Sequence, residues 1–363
     1  MKIYPRKISH SLIPIWPILF WGCQQEVQTI QESRVLMDTL VSINVYTPDP
    51  AAEPAIRRAI AAAFAEMARL DSLMSSYRQD SEVAAINRCG AAGGEMEVSA
   101  DVDTVLRAAQ WAAAISAGAF DVTVAPILRL WGIGTDSAGV PAPEKIATRL
   151  PSVNFHNLAL ANTAANGIAS IKNRLVRFRQ PGMAIDLGGI AKGYAVDRGL
   201  DALVEAGIRD AMITAGGDLR VIASPMTGGR RHIWIRHPRA DTIGNTAIDV
   251  EKKKFFGRFR LDGGAVSTSG DYERFFIKDG KRYHHIIDPG TGYPARGAVS
   301  ATVMAKTSIQ ADALSTALFV LGPERGIAMA DSLPEVEAMI IYFDEEKLQW
   351  RATKALQEKL EIF

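Results

Sequence analysis

Hydrophobic residues recur every three or four positions between residues 56 and 73, a spacing that predicts an amphipathic helix. The stripe consists of Ile56, Ile60, Phe64, Met67, Leu70 and Leu73. Similar patterns predict further helices from Ser81 through Ile86, from Ser99 toward Ser116, over 190–206 and over 308–321. Serine at a helix start and glycine after a helix end, as at Ser99 and Gly207, are typical boundary signals.

Runs of β-branched and apolar residues predict strands over 35–37 and 40–46, which form a hairpin or one bulged strand. Further strands are predicted over 183–186, 211–222, 233–236, 299–304 and 336–343. The Asp279-Gly280 turn predicts a hairpin between 275–277 and 283–287, whereas prolines and glycines predict a loop-rich stretch over 125–142. Helices and hairpins are mixed rather than strictly alternating. The pattern therefore predicts an α+β fold, with mixed, largely antiparallel sheets and packed helices in one compact catalytic unit.

The composition of the 363-residue chain is ordinary for a globular protein, with 48% hydrophobic and 22% charged residues. Lys and Arg total 41 and Asp and Glu total 40, which leaves a formal net charge of +1. A nucleic-acid binder would carry a strongly basic footprint, so this balance argues against that class. Two cysteines, Cys23 and Cys89, exclude a disulfide framework.

The N-terminus carries a basic segment with Lys2, Arg6 and Lys7, followed by an apolar run over 12–21. About ten apolar residues are too few to cross a ~30 Å hydrocarbon core, so the segment is typical of a signal peptide. Because Gly22-Cys23 resembles the end of a bacterial lipobox, we predict a lipoprotein signal peptide over 1–22 and a lipidated tether over 23–32. The catalytic domain would then span 33–363. The alternative is a plain secretory signal cut nearby, with Cys23 incidental.

Three glycine-rich segments, over 186–193, 215–218 and 267–270, place glycines beside acidic or hydroxyl residues. Glycine lets a backbone approach a phosphate closely, and a helix N-terminus offers N–H donors to it. None matches the Rossmann or P-loop pattern, and one such turn alone is as readily structural. Three in one domain, one of them with Lys192, predict a nucleotide or dinucleotide ligand.

Asp312 and Thr316 stand four residues apart in a helical pattern, so both oxygen groups lie on one helix face. A buried carboxylate needs a partner, and Mg²⁺ suits carboxylate, hydroxyl and backbone oxygens. A helix-capping aspartate and a back-bonded threonine remain open alternatives. Strand alternation points His284 and His285 to opposite faces, so at most one of them faces a given site. The sequence lacks the motifs of Ser-His-Asp hydrolases and of zinc enzymes.

Eight blocks follow one another in an order that is highly specific. They are 37–39, 73–77 with 81–82, 118–126 with 130–132, 186–197, 215–218, 268–270 with Tyr272, 285–294 and 311–322. In these blocks the sequence resembles the bacterial FAD:protein FMN transferase family, formerly labelled a thiamine-biosynthesis lipoprotein family. The resemblance implies a periplasmic, lipid-anchored protein of the cell envelope, held through Cys23. It covers most of residues 35–322.

The resemblance also implies a set of site residues. The FAD pocket would be lined by Met37, Tyr77, Ala119, Phe120, Asp121, Asp186, Lys192 and Thr268. The Gly189 carbonyl, Asp312 and Thr316 would hold Mg²⁺, and His285 matches the family's catalytic histidine. Asp38 departs from the family pattern, in which glycine is usual at that position.

The reaction implied by the resemblance is Mg²⁺-dependent transfer of FMN from FAD to a Thr or Ser hydroxyl of a partner protein, with release of AMP. Lys192 would neutralise phosphate charge, and His285 would act as a general base or orienting group. The acceptor would be a subunit of a membrane electron-transfer complex. The alternatives are a Mg²⁺-dependent FAD pyrophosphatase and a non-enzymatic flavin-binding lipoprotein.

Overall fold

A computed structural model describes residues 26–165, 168–240 and 254–363, and strands make up its largest layer. The strands are β1 Gln28–Leu36, β2 Thr39–Thr47, β3 Glu95–Glu97, β4 Leu158–Ala165, β5 Ile168–Phe178, β6 Ala211–Ala215, β7 Asp218–Ile222, β8 Arg231–Arg236, β9 Phe255–Leu261, β10 Gly263–Gly270, β11 Phe275–Lys278, β12 Lys281–His284, β13 Ser300–Ala305, β14 Glu337–Asp344, β15 Lys347–Ala352 and β16 Glu361–Ile362. Eight of them form one antiparallel sheet in the order β1-β2-β6-β7-β10-β13-β14-β15. Smaller antiparallel sheets have the orders β16-β9-β8, β3-β5-β4 and β11-β12.

The helices agree largely with the hydrophobic periodicity. They are α1 Glu53–Met74, α2 Glu82–Ala92, α3 Ala100–Ile115, α4 Ala125–Trp131, α5 Pro143–Arg149, α6 Ala191–Glu205, α7 Ser308–Asp331 and α8 Lys354–Gln357. Helix α1 buries five residues of its predicted stripe, and the sixth, Leu73, is partly buried. The hydroxyls of Ser81 and Ser99 accept hydrogen bonds from the first turns of α2 and α3, as the sequence predicts. Helix α7 extends past its predicted end but breaks at Gly322, whose φ is 77° and which precedes Pro323.

The large sheet is covered on both faces, which gives three layers. One face carries Ile43, Ile213 and Val303, which pack in one core with helices α1, α6 and α7. The other face carries Val221 and Ile341, which pack against the β16-β9-β8 sheet. Because side chains alternate along a strand, adjacent residues of one strand serve both cores. The predicted mixture of helices and antiparallel sheets is therefore present.

Four local predictions are wrong in whole or in part. Residues 183–186 form no strand, because the side chain of Asn87 satisfies the Ile185 backbone, with Ile185 N donating to Asn87 Oδ1 at 2.7 Å. The predicted strand over 211–222 is a hairpin that turns at Gly216, where φ is 61°. The predicted loop-rich stretch over 125–142 begins with α4, so that prediction fails over 125–131 and holds over 132–142. Residues 267–270, predicted as a glycine turn, lie inside strand β10.

The start of the fold also differs from the prediction. Strand β1 begins at Gln28 and pairs with β2, and Ile30 is buried, so residues 28–32 belong to the sheet rather than to a polar tether. The predicted signal peptide over 1–22 and Cys23 lie outside the described residues. Among the helices of the described ranges, none combines the length and hydrophobicity that a bilayer crossing requires.

Candidate active site

A pocket of about 630 Å³ opens where β2, the β6–β7 turn and the end of β10 meet the first turn of α6 and the middle of α7. This volume is typical of a small-molecule site. The structure brings together all twelve pocket residues predicted from the sequence: Met37, Tyr77, Ala119, Phe120, Asp121, Asp186, Gly189, Lys192, Thr268, His285, Asp312 and Thr316. These residues come from segments that are distant in the chain, and they line one continuous pocket.

The centre of the pocket is a cluster of three charged groups. The Lys192 Nζ lies 3.1 Å from Asp218 Oδ2 and 3.8 Å from Asp312 Oδ1. Both carboxylates are buried, with 2% and 3% of their surface exposed, whereas Lys192 is partly exposed. Ser267 Oγ donates to Asp218 Oδ1 at 2.6 Å, and Gly193 N donates to Asp312 Oδ2 at 2.9 Å. Two carboxylates thus share one ammonium.

The excess of carboxylates over ammonium groups shifts the pKa values of Asp312 and Lys192. Burial and the neighbouring Asp218 raise the pKa of Asp312 well above its usual range, and Lys192 only partly counteracts them. Burial alone would lower the pKa of Lys192, but the two carboxylates outweigh burial and raise it. The lysine therefore stays charged, and the cluster has room for further positive charge.

Hydroxyl-bearing residues and a glycine turn line the same pocket as Asp312. Ser269 Oγ lies 3.2 Å from Thr316 Oγ1, and a Cβ added at Gly189 would lie 3.3 Å from the same oxygen. Within the described ranges, no group of three or more His, Cys, Asp or Glu residues could hold a metal. A carboxylate with hydroxyl and carbonyl oxygens suits a hard cation such as Mg²⁺ rather than zinc.

His285 lies just beyond the end of β12 and lines the pocket, whereas His284 is buried with its Nε2 2.9 Å from the Ala295 carbonyl. The His285 Nδ1 lies 3.2 Å from the Arg274 carbonyl oxygen. A carbonyl can only accept, so Nδ1 carries the proton and Nε2 is the basic nitrogen. Burial, with the neighbouring His284, lowers the pKa of His285 to about 4. The imidazole is therefore neutral at physiological pH.

The β1–β2 turn forms part of the pocket mouth. Met37 and Asp38 both have positive φ, 52° and 57°, as a two-residue hairpin turn requires. Aspartate tolerates this left-handed conformation better than most residues, which explains how it replaces the usual glycine. Met37 N donates to Asp71 Oδ2 at 3.1 Å, and Asp38 Oδ2 lies 3.8 Å from Arg274 across the mouth.

Several predicted FAD contacts already have protein partners. Asp121 accepts hydrogen bonds from the Thr123 amide and hydroxyl and from Phe155 N, at 2.6 to 2.9 Å. Asp186 Oδ1 accepts from Gly188 N at 2.8 Å, which shapes the glycine turn before α6. Phe120 is 4% exposed at the pocket wall, whereas Tyr77 is 67% exposed at its rim. These two aromatic rings offer an apolar wall and an open edge to a ligand.

Comparisons with known proteins place the chain in a family. A family model described as the ApbE family matches residues 37–340. The chain belongs to the ApbE family. The FAD:protein FMN transferase of Treponema pallidum is 32% identical over 350 residues, covering 94% of this chain and 91% of that protein. That of Haemophilus influenzae is 32% identical over 313 residues, covering 85% and 86%.

Solved structures agree with this assignment. The ApbE protein of Thermotoga maritima has a TM-score of 0.74 at 31% identity, with 92% of this chain and 99% of that chain covered. The flavin transferase ApbE of Vibrio cholerae has a TM-score of 0.74 at 29% identity, with the same coverage. The predicted family and α+β fold are confirmed, as is the prediction that the chain is an enzyme. The roles of the individual pocket residues stay predictions.

Sequence reasoning gave no role to several polar pocket residues, among them Asp218, Ser269 and Arg274. Asp218 and Ser269 stand in glycine motifs that were recognised, but they were given no role, although an acid after Gly216-Gly217 could have suggested a partner for Lys192. Arg274 carried no motif signal. Its place at the mouth depends on the turn between β10 and β11, which the sequence does not reveal.

Proposed function

We propose that this chain transfers FMN from FAD to a Thr or Ser hydroxyl of a partner protein, in a Mg²⁺-dependent reaction that releases AMP. The observation that carries the proposal is the Lys192–Asp218–Asp312 cluster at the centre of a pocket large enough for a nucleotide. Relatives that match most of the chain carry the name FAD:protein FMN transferase.

The residues around Asp312 fit the magnesium ion that the family implies. The test is the charge of the cluster: two buried carboxylates face one ammonium, and the hydroxyl oxygens of Ser269 and Thr316, 3.2 Å apart, line the same pocket. We assign the ion to Asp312, Thr316 and the Gly189 carbonyl. When bound, Mg²⁺ would neutralise negative charge on the pyrophosphate of FAD.

We assign the remaining steps of the reaction to Lys192, His285 and the Arg274 carbonyl. Lys192 stays protonated and can stabilise charge on the departing AMP phosphate. The Nε2 of His285 can accept the proton of the acceptor hydroxyl, whose oxygen forms a bond to the FMN phosphorus as the P–O bond to AMP breaks. The Arg274 carbonyl holds the imidazole in the tautomer that this step needs. The products are a phosphoester of FMN on the partner, and AMP.

Water could replace the protein hydroxyl in the same site, which would give FMN and AMP. The partly exposed mouth around Tyr77 and the Asp38–Arg274 pair instead offers an entry for a protein segment. We propose that the acceptor belongs to a membrane electron-transfer complex. We also propose that Cys23 anchors the enzyme to the periplasmic side of the cell envelope.

The test is to incubate the purified enzyme with FAD, Mg²⁺ and a candidate acceptor subunit, and to image the denaturing gel for flavin fluorescence. The acceptor band should become fluorescent and survive boiling, because a phosphoester is covalent. The label should disappear when EDTA is added and when Asp312→Ala replaces the wild-type enzyme. A cooperative melting curve for Asp312→Ala is required to show that this variant is folded. Free FMN and AMP without labelled protein, across plausible acceptors, would instead indicate the pyrophosphatase.

A further inference from the structure

A second set of polar contacts lies directly behind the charged cluster, centred on Asp197 of α6. Its two carboxylate oxygens accept hydrogen bonds from Ser308 N at 2.8 Å and Ile309 N at 2.9 Å, in the first turn of α7. Arg220 of β7 donates to the same carboxylate at 2.8 Å. Asp197 is 6% exposed, so these contacts are shielded from water.

These contacts repeat the geometry of the site one helical turn away. Residues 193 and 197 are four apart on α6, 308 and 312 are four apart on α7, and 218 and 220 share one face of β7. In the site, α6 contacts β7 through Lys192–Asp218 and α7 through Gly193–Asp312. Behind it, Asp197 contacts the same two elements. The three elements are thus held together by two sets of contacts, about 6 Å apart along each helix.

Helices α6 and α7 are also in close contact between these two ties. A Cβ added at Gly193 would collide with the Ser308 carbonyl and would lie 2.8 Å from the Asp312 Cβ. At such a separation, a small slide of α7 along α6 would displace the Asp312 carboxylate. The position of Asp312 therefore depends on what holds the first turn of α7.

That first turn depends on Asp197. The residue before α7, Thr307, makes no side-chain capping bond, although the first N–H groups of a helix have no partner within it. Asp197 supplies the acceptor from a neighbouring helix instead. Its negative charge also suits the positive end of the α7 dipole.

We infer that Asp197 is a positioning residue that fixes α7 on α6 and thereby places Asp312 and Thr316 as ligands for the divalent cation. The inference rests on the metal site of the proposed function. Arg220 supports it by holding the carboxylate from the strand that also carries Asp218. Loss of Asp197 should therefore weaken cation binding without removing any group that lines the pocket.

The test measures binding of Mn²⁺, as a probe for Mg²⁺, from the decrease of its free electron paramagnetic resonance signal in the full-length protein. Asp197→Ala should bind Mn²⁺ about tenfold more weakly than wild type, at the low end of the range for residues that orient metal ligands. Asp197→Asn keeps one acceptor oxygen and should lie between the two. Metal-free FAD binding, followed by flavin fluorescence, should match that of wild type, because Asp197 does not line the pocket.

Asp210→Ala is the matched control. Asp210 is likewise buried, accepts from Ser224 N and pairs with Arg231 at 2.6 Å, but it lies outside the pocket lining. It should lose stability and keep Mn²⁺ affinity. If Asp197→Ala does not fold, Arg220→Gln serves instead, with a smaller loss of affinity expected.

Unchanged Mn²⁺ affinity in the folded Asp197 variants, or an equal loss in Asp210→Ala, would overturn the positioning role while leaving the proposed function intact. If wild type and Asp312→Ala bind Mn²⁺ equally, the proposed metal site is wrong and the positioning role is overturned with it.

Discussion

Replacing Lys192 with methionine would remove the ammonium that lies between two buried carboxylates. Methionine keeps an unbranched, flexible side chain of similar length, so the packing changes little. Asp218 and Asp312 would remain 2% and 3% exposed, and each would lose an ion-pair partner, at 3.1 Å and 3.8 Å. The variant therefore isolates the charge of Lys192 from its bulk.

The expected loss of stability follows from burial. Removing one partner of a buried ion pair costs about 3–5 kcal/mol, because the other charge is left uncompensated. The Lys192 side chain is 28% exposed, so water screens part of the interaction, and we expect a loss of about 2–3 kcal/mol at pH 8. At about 2 °C per kcal/mol for a chain of this size, Tm should fall by about 4–6 °C.

The sign of the pH dependence follows from Asp312. Burial and Asp218 raise the pKa of Asp312 in the folded state above its pKa in the unfolded chain. The free energy of unfolding therefore falls as pH rises from the unfolded-state pKa toward the folded-state pKa, because the unfolded chain loses this proton more readily. Without Lys192 that pKa rises further, and the destabilisation continues to higher pH. The difference in Tm between variant and wild type should therefore be larger at pH 8 than at pH 5.5.

The assay is thermal unfolding in EDTA at both pH values, with Lys347→Met as the control at an exposed lysine. The control should melt like wild type. Added Mg²⁺ should restore part of the lost Tm in the Lys192 variant, because a ligand that binds the folded state stabilises it. An unchanged Tm, or a loss that is the same at both pH values, would refute the reasoning.

Three further predictions address the base, the glycine turn and the anchor. His285→Gln should lower kcat by about 10²–10⁴. At saturating Mg²⁺, which keeps Asp312 ionised, the wild-type rate should stay flat from pH 8 down to about pH 5, because the pKa of His285 is lowered to about 4. An acidic limb near the usual histidine pKa that persists at saturating Mg²⁺ would contradict the assignment. Gly217→Ala should destabilise the fold by about 1–3 kcal/mol, since the added Cβ would lie 2.5 Å from the Thr268 carbonyl, and an unchanged melting curve would count against this close approach. Cys23→Ser should move the protein from the membrane to the soluble fraction, and a variant that stays membrane-bound and is processed normally would disprove the lipid anchor.

The helices were predictable where local signals agreed with packing. The α1 stripe repeats every three or four residues, and Ser81 and Ser99 each cap an amide three residues further along the chain. Such short-range signals can be recognised from the sequence alone. Residues 183–186 show the limit. Their apolar run is typical of a strand, but their backbone bonds to Asn87, 98 residues away from Ile185, and a local pattern cannot reveal such a partner.

The sequence predicted which residues line the pocket, but not the contacts that these residues make with one another. Ordered motifs identified the twelve pocket residues, whereas the geometry behind them depends on contacts between distant segments. Strand β10 looked like a glycine turn because its residues are small and hydroxylated. Those small residues are suited to a strand that is paired on both sides and covered by α7, where Ser267 reaches Asp218 and Ser269 reaches Thr316. The Asp197 contact with α7 likewise has no sequence signal.

The intact mass of the acceptor protein tests the central claim most directly. After reaction with FAD and Mg²⁺, its mass should increase by that of FMN less one water, and AMP should appear in equal amount. The Asp312→Ala enzyme should leave the mass unchanged. An acceptor that gains the mass of AMP less one water would contradict the account, because the enzyme would then transfer the adenylate half of FAD.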